Sequence, residues 1–320
     1  MSLLYISQQV TIYLGFFLLV VGVIGNGINI LVFSSVRTYR KSPCTFYFLI
    51  ASIINVIYII INLISRIVSA GYGIDLTRTS STWCRTRQYL IGVFSLISIT
   101  CSCLATIDQF LLTSRNAYLR SLSNIILAHR IVLIVVIVGC IHTIPCLIFF
   151  DISPVTKTCV NINAVYNYYV IVYVLTVTCM IPVIIMIIFG YLTYRNIHLT
   201  KVLAQQQADR QLIRMTLIEV VLVVFTITPY GINNAYSLAS VGVAKNADRL
   251  MSEYFASTMI SLLTYFYYAG SCYMFFISSS RFRRTVREKV FFWQRSNQVQ
   301  PLQQVTLTVG ITTFPNKINN

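Results

Sequence analysis

Charge is scarce in this 320-residue chain: 10% of its residues are charged and only eight are acidic. Soluble domains carry roughly 25% charge. With 57% hydrophobic residues and a mean hydropathy of +0.75, the chain would precipitate without lipid around it. The few acids are scattered, the three histidines (His129, His142, His198) share no close spacing, and Cys101-x-Cys103 points two sulfurs to different faces of a helix. Neither a metal centre nor a catalytic triad is supported by that pattern. Phosphate-cradling and dinucleotide-binding glycine motifs are missing as well, so enzymatic chemistry and cofactors are not expected. The chain has no Asn-x-Ser/Thr sequon, and its first apolar run has neither a basic start nor a small-residue cleavage site; no cleavable signal peptide is expected. No internal repeat or matched pair of broken spans points to a secondary transporter, and no ring of like charge marks a channel.

Long apolar runs dominate instead. A helix needs roughly 20 mostly apolar residues to cross a hydrocarbon core about 30 Å thick. Seven runs meet that length, at about residues 10–34, 45–69, 86–113, 130–150, 167–194, 212–239 and 254–277. Backbone groups left unpaired in lipid cost several kcal/mol, so spans are helices or closed barrels, and these runs are too long and uniformly apolar for alternating barrel strands. An all-α bundle of seven transmembrane helices follows.

The formal charge of +16 is a matter of position rather than total. With the N-terminus outside, the inner loops hold Arg37, Arg40 and Lys41, then Arg115, Arg120 and Arg130, then Arg195, Lys201, Arg210 and Arg214. The C-terminal segment adds Arg281, Arg283, Arg284, Arg287, Lys289, Arg295 and Lys317. This is the bias that orients membrane proteins, and it predicts an outside N-terminus and an inside C-terminus. Nucleic acid is not needed to explain the charge, whereas anionic lipid on the inner leaflet suits the basic tail. Seven of the nine cysteines lie in or beside spans and read as reduced packing residues. Cys84 and Cys159 fall in outer loops, where they are either bridged or left as two free thiols.

Order and spacing resemble a rhodopsin-like G-protein-coupled receptor over nearly the whole length. Gly25-Asn26 matches the family's pair in the first span, and Cys84 stands 24 residues before Asp108, the family's separation between the disulfide cysteine and the acid ending the third span. Cys159 follows in the second outer loop, Pro182 and Pro229 match the prolines of the fifth and sixth spans, and Ser-Arg-Phe-Arg-Arg at 280–284 resembles the start of the family's amphipathic helix. The resemblance implies a Cys84–Cys159 disulfide, a plasma-membrane location, an outer ligand, and a sixth span hinged at Pro229 that swings to admit a heterotrimeric G-protein.

The departures fall at the family's switch positions. Asp108-Gln109-Phe110 stands where the family has Asp-Arg-Tyr, so Asp209, placed where the family often keeps an opposing acid, has no basic partner there. Asn55 replaces the aspartate that helps bind sodium, Thr226-Ile227-Thr228-Pro229 lacks the toggle tryptophan, Gly139 takes a tryptophan position, and Ser271-Cys272-Tyr273-Met274-Phe275 replaces Asn-Pro-x-x-Tyr. Glu219, ten residues before Pro229, is an acid inside a span, and such groups suggest function by default. With Gln109 it is expected to form a substitute inner lock; the plainer alternative is a protonated side chain bonded to nearby backbone.

Ile91 stands where amine receptors carry an aspartate and Tyr265 where opsins carry the retinal lysine, so neither ligand is expected. Arg66, Arg87, Tyr89, Ile91, Tyr265 and Tyr268 form the expected ligand site, its basic and aromatic character suiting a peptide or a small anionic molecule. The resemblance leans towards invertebrate neuropeptide receptors of the FMRFamide-receptor type. The same side chains would also serve as snorkelling arginines and interfacial tyrosines. The expected organisation is an outer N-terminus over residues 1–9, a receptor domain over 10–292, and a disordered cytoplasmic tail over 293–320 whose Ser296, Thr306, Thr308, Thr312 and Thr313 would recruit arrestin when phosphorylated. A weakly coupled binding or decoy receptor, and a seven-span solute transporter or scaffold, are the alternatives.

Overall fold

The computed structural model describes residues 3–154, 157–199, 207–240 and 243–290. Seven helices long and apolar enough to cross a membrane run over Leu3–Ser35, Pro43–Gly71, Ser81–Thr113, Ile125–Phe149, Ala164–Ile197, Arg210–Ala239 and Ala247–Ser278. The expected all-α seven-span bundle is therefore present, followed by a further helix, Ser280–Val290.

The third, fourth, fifth and seventh spans start ahead of their apolar runs, each with its first turn capped by a polar loop side chain. The side chains of Ser80, Asn163 and Asn246 accept from the backbone N–H of Trp83, Tyr166 and Arg249, and Asn124 accepts from Ile126. Each such cap is worth about 1 kcal/mol. The expected outer segment over 1–9 is helical from Leu3 onward.

Small residues let the spans approach closely. A Cβ built on Gly22 would sit 2.6 Å from Ile59 Cδ1 and 3.1 Å from Ala269 Cβ, so the first span is wedged between the second and seventh. Asn26 fastens the same joint by donating to the Tyr268 carbonyl at 2.9 Å. Ile134, Val221, Phe225 and other large apolar side chains remain exposed on the outside of the bundle, where lipid covers them.

Two spans are locally widened into π-helical turns: the second at Ile59–Leu63 and Ile67–Gly71, the fifth at Val174–Met180. The fifth-span turns precede Pro182, whose missing N–H and bulky ring disturb the regular ladder just there. Pro229 lies inside the sixth helix and interrupts its hydrogen bonding in the same way.

At the end of the bundle expected to face outside, two short antiparallel strands, β1 (Phe150–Ile152) and β2 (Cys159–Asn161), form a hairpin after the fourth span. The disulfide Cys84–Cys159 pins it to the third span, with Cα atoms 5.7 Å apart. Asp151 adds a second fastening, accepting from Ser81 Oγ and Arg85 Nη2, each at 2.6 Å, while Arg85 Nε donates to the Phe150 carbonyl at 3.1 Å. At the opposite end, expected to face inside, the helix Ser280–Val290 buries Phe282 and Val286 and leaves Arg283, Arg284 and Arg287 exposed, the expected amphipathic arrangement. Phe282 packs against Phe33 and Phe275, with ring centroids 5.8 and 6.0 Å away.

Candidate functional site

A cavity of about 320 Å³ opens in the outer half of the bundle, with walls from the second to the seventh span and from Phe150 of β1. On one wall Tyr58, Asn62 and Arg66 line up along the second span, facing Tyr265 and Tyr268 of the seventh. Tyr58 stacks on Tyr268 with centroids 3.9 Å apart. Asn62 donates to the Tyr58 hydroxyl at 2.9 Å and accepts from Arg87 Nη2 at 2.8 Å. The opposite wall is a run of rings in which Tyr166, Tyr169 and Tyr173 stack in sequence along the fifth span, and His142 of the fourth lies 4.4 Å from Tyr173 between centroids.

Four of the six residues expected at a ligand site line this cavity: Arg66, Ile91, Tyr265 and Tyr268. Arg87 stands behind it, reaching it through Asn62. Tyr89 does not belong to the cavity; it turns towards Cys140 of the fourth span and packs on the inner core cluster. Arg87 and Ile91 are four residues apart and share a helical face, whereas Tyr89, two residues from each, points to the other side. The aromatic wall was missed in the sequence, although the spacing 166, 169, 173 places three tyrosines on one helical face.

Below the cavity lies a closed set of neutral hydrogen bonds. Ser98 donates to Asn55 Oδ1 at 2.5 Å, and the Tyr267 hydroxyl sits 3.0 Å from both Ser98 Oγ and Ser102 Oγ. The second, third and seventh spans meet there. Asn55, standing where the resemblance expects an ion-binding carboxylate, thus accepts from the Ser98 hydroxyl.

At the inner end the residues expected to act as a switch are largely buried but not joined as expected. Asp108 accepts from Ser123 Oγ at 2.7 Å, tying the third span to the inner loop. Gln109 is fully buried; neither end of its amide makes a well-formed hydrogen bond, and the polar group beside it is the Cys44 thiol. Glu219 is also buried, within electrostatic reach of Tyr267, and its Oε2 is likewise unpartnered. The expected Gln109–Glu219 lock is therefore not formed: no hydrogen bond joins the two side chains, Gln109 lying beside the Cys44 thiol and Glu219 near Tyr267. Phe110 packs edge-on to Phe189 of the fifth span, and Phe275 lies in the Phe33–Phe48–Phe282 cluster. The side chain of Asp209 lies outside the described residues, as do residues 200–206 and the tail positions Ser296, Thr306, Thr308, Thr312 and Thr313.

Contacts that sequence reasoning did not anticipate hold the inner end of the sixth span. Thr216 Oγ1 lies 3.5 Å from Cys44 Sγ of the second span. Gln211 Oε1 accepts from Ser279 Oγ at 3.0 Å and from the Arg281 backbone N–H at 2.8 Å, joining the sixth span to the start of the final helix. No ion pair is among these fastenings in the described residues. No group of three or more metal-ligating side chains occurs among the described residues either.

Fold and cavity together define a seven-span helical membrane protein with a cavity at the hairpin end of the bundle and neutral hydrogen bonds joining the second, third and seventh spans beneath it. No protein-family model matches the chain, and no curated protein matches it.

Proposed function

We propose that this protein is a receptor of the rhodopsin-like kind, in which ligand binding in the outer cavity is converted into activation of a heterotrimeric G-protein at the inner face. The observation that carries this reading is the sixth span. It contributes Ile227, Tyr230 and Asn234 to the cavity, carries Pro229 inside the helix, and at its inner end, beside the packing of Leu212, Ile213 and Met215, its polar fastenings among the described residues are the neutral Thr216–Cys44 contact and the Gln211 bonds. A neutral hydrogen bond is worth about 1 kcal/mol net. A ligand with a differential affinity of a few kcal/mol between the two arrangements would therefore suffice to release that end. Such a protein would sit in the plasma membrane with its N-terminus outside and without enzymatic chemistry of its own. Phosphorylation-dependent arrestin recruitment belongs to the same reading.

The direct test is nucleotide exchange on added G-protein by the full chain in lipid, screened against ligands, beside the Gln109→Arg variant. Ligand-driven exchange by the wild type supports the proposal. Activity confined to Gln109→Arg would point instead to a binding or decoy receptor, a reading favoured by the unpartnered Gln109 amide. Solute flux in vesicles without nucleotide exchange would replace both with a transporter.

A further inference from the structure

The charge balance around the outer cavity points to one ligand class. Among the described residues, the acids of the outer side are occupied: Asp75 pairs with Arg78, Asp151 with Arg85, and Glu253 with both Lys245 and Arg249. Asp248 sits in the first turn of the seventh helix, where it suits the helix N-terminus. Arg66 and Arg87 form no ion pair in the described residues, and the Nε of each is buried without a hydrogen-bond partner. Asp75 is the carboxylate whose field reaches Arg87, and its oxygens are already taken by Thr77 and Arg78. What surrounds the two guanidinium groups on the cavity side is neutral: Asn62 on Arg87, and the Tyr265 hydroxyl beside Arg66. Both arginines are half-buried; a cation partly withdrawn from water without a counter-ion bears part of the desolvation cost, and a guanidinium fork matches a carboxylate in shape as well as charge.

We infer that the cavity takes a small carboxylic acid with an aromatic or apolar body, its carboxylate seated on Arg66 with Arg87 holding Asn62 behind it. The body then lies across the cavity against the Tyr166–Tyr169–Tyr173 wall, which offers ring faces and no charge. The volume, about 320 Å³, is at the lower end of the roughly 300–1,000 Å³ typical of small-molecule sites, so it accommodates a compact molecule or one chain end, not a folded partner. This inference rests on the cavity being the ligand site of the proposed receptor. It also narrows the ligand: a C-terminally amidated, cationic peptide, the kind suggested by the neuropeptide resemblance, would leave both arginines unpaired and add a like charge.

The test uses the full chain in lipid nanodiscs and four probes: 3-(4-hydroxyphenyl)propanoate, N-acetyl-phenylalanine, and the primary amide of each. Equilibrium binding is measured on wild type, Arg66→Gln and Arg66→Lys, with thermal unfolding of each variant as a folding check. The expected result is that at least one acid binds about tenfold or more tightly than its amide, as a charge-assisted bond replaces a neutral one. That preference should disappear in Arg66→Gln and survive in part in Arg66→Lys. A tighter N-acetyl-phenylalanine than hydroxyphenylpropanoate would assign the carboxylate to a peptide end, and the reverse to a free aryl acid. Amides binding as well as acids, an acid preference that persists in a folded Arg66→Gln, or no acid binding at millimolar concentration would each overturn the inference. Acid-selective binding without any nucleotide exchange on G-protein would leave it standing while removing the receptor reading.

Discussion

Replacing Tyr267 with phenylalanine should loosen the joint between the third and seventh spans by an amount that follows from the local geometry. The ring is fully buried and would stay, so no cavity opens and the packing loss is small. What goes is a hydroxyl 3.0 Å from Ser98 and 3.0 Å from Ser102. Ser98 keeps its bond to Asn55, but no other side-chain bond of Ser102 compensates its loss among the described residues. Interhelical hydrogen bonds inside membranes average about 0.6 kcal/mol in double-mutant cycles, and soluble ones reach about 1.5. Two such bonds put Tyr267→Phe at about 1–2 kcal/mol of destabilisation. Equilibrium unfolding in mixed micelles, run as a cycle with Ser102→Ala, should return a coupling of about 0.5–1.5 kcal/mol. A Tyr267→Phe protein as stable as wild type, or a coupling below about 0.3 kcal/mol, would refute the idea that these hydroxyls hold the spans together.

Three further outcomes are expected. Asp151 is held at about 2 by the Ser81 hydroxyl first, then the Ile152 N–H and Arg85. Its carboxyl is thus depressed from an ordinary value of about 4, and its contribution to the hairpin is complete above that value and lost as pH falls towards about 2; hydrogen exchange of the hairpin should accelerate over that window in wild type and lose the dependence in Asp151→Asn. Gln109→Leu should leave stability unchanged or raise it by about 1 kcal/mol, because it removes two buried groups that have no partner, and unfolding measurements showing a loss above about 1 kcal/mol would mean the amide is satisfied in the native protein. Phe282→Ala should cost about 3 kcal/mol or more if the final helix is docked by its buried ring, measured as global unfolding, or appear as selective proteolysis of residues after Ser279 if that helix detaches alone.

The bundle was legible because lipid imposes one demand that composition answers directly: enough consecutive apolar residues to span it. Finer features obeyed rules that a linear reading does not carry. The strands β1 and β2 are three residues each, too short to show alternation, and they exist because a disulfide and Asp151 hold them against the third span. Tyr267 looked like one more aromatic in an apolar run, and only its placement opposite Ser98 and Ser102 makes its hydroxyl a joint. The basic and aromatic cavity was readable in part, through Arg66, Tyr265 and Tyr268, since residues four apart such as Tyr58, Asn62 and Arg66 share a face. Tyr89 was misplaced because the side a helix turns towards its neighbours depends on the packing of all seven spans. Gln109 and Glu219 stand out in the sequence as polar groups within spans, but which polar groups meet in the interior is decided by distances of an ångström or two.

The fastening of the hairpin bears on timing as well as on shape. A wall tied by a covalent bond and by Arg85–Asp151 cannot step aside, so a molecule leaving past Phe150 must wait for some other part of the rim to open. The outer ends of the sixth and seventh spans supply that part, and they are clasped by Lys245 and Arg249 around Glu253, with Tyr236 donating to the same carboxylate. This clasp lies at the water interface, where salt screens charge. For a molecule bound as proposed, residence time would be set in part at this ionic clasp, remote from the cavity, and dissociation is expected to quicken with ionic strength even for an uncharged occupant.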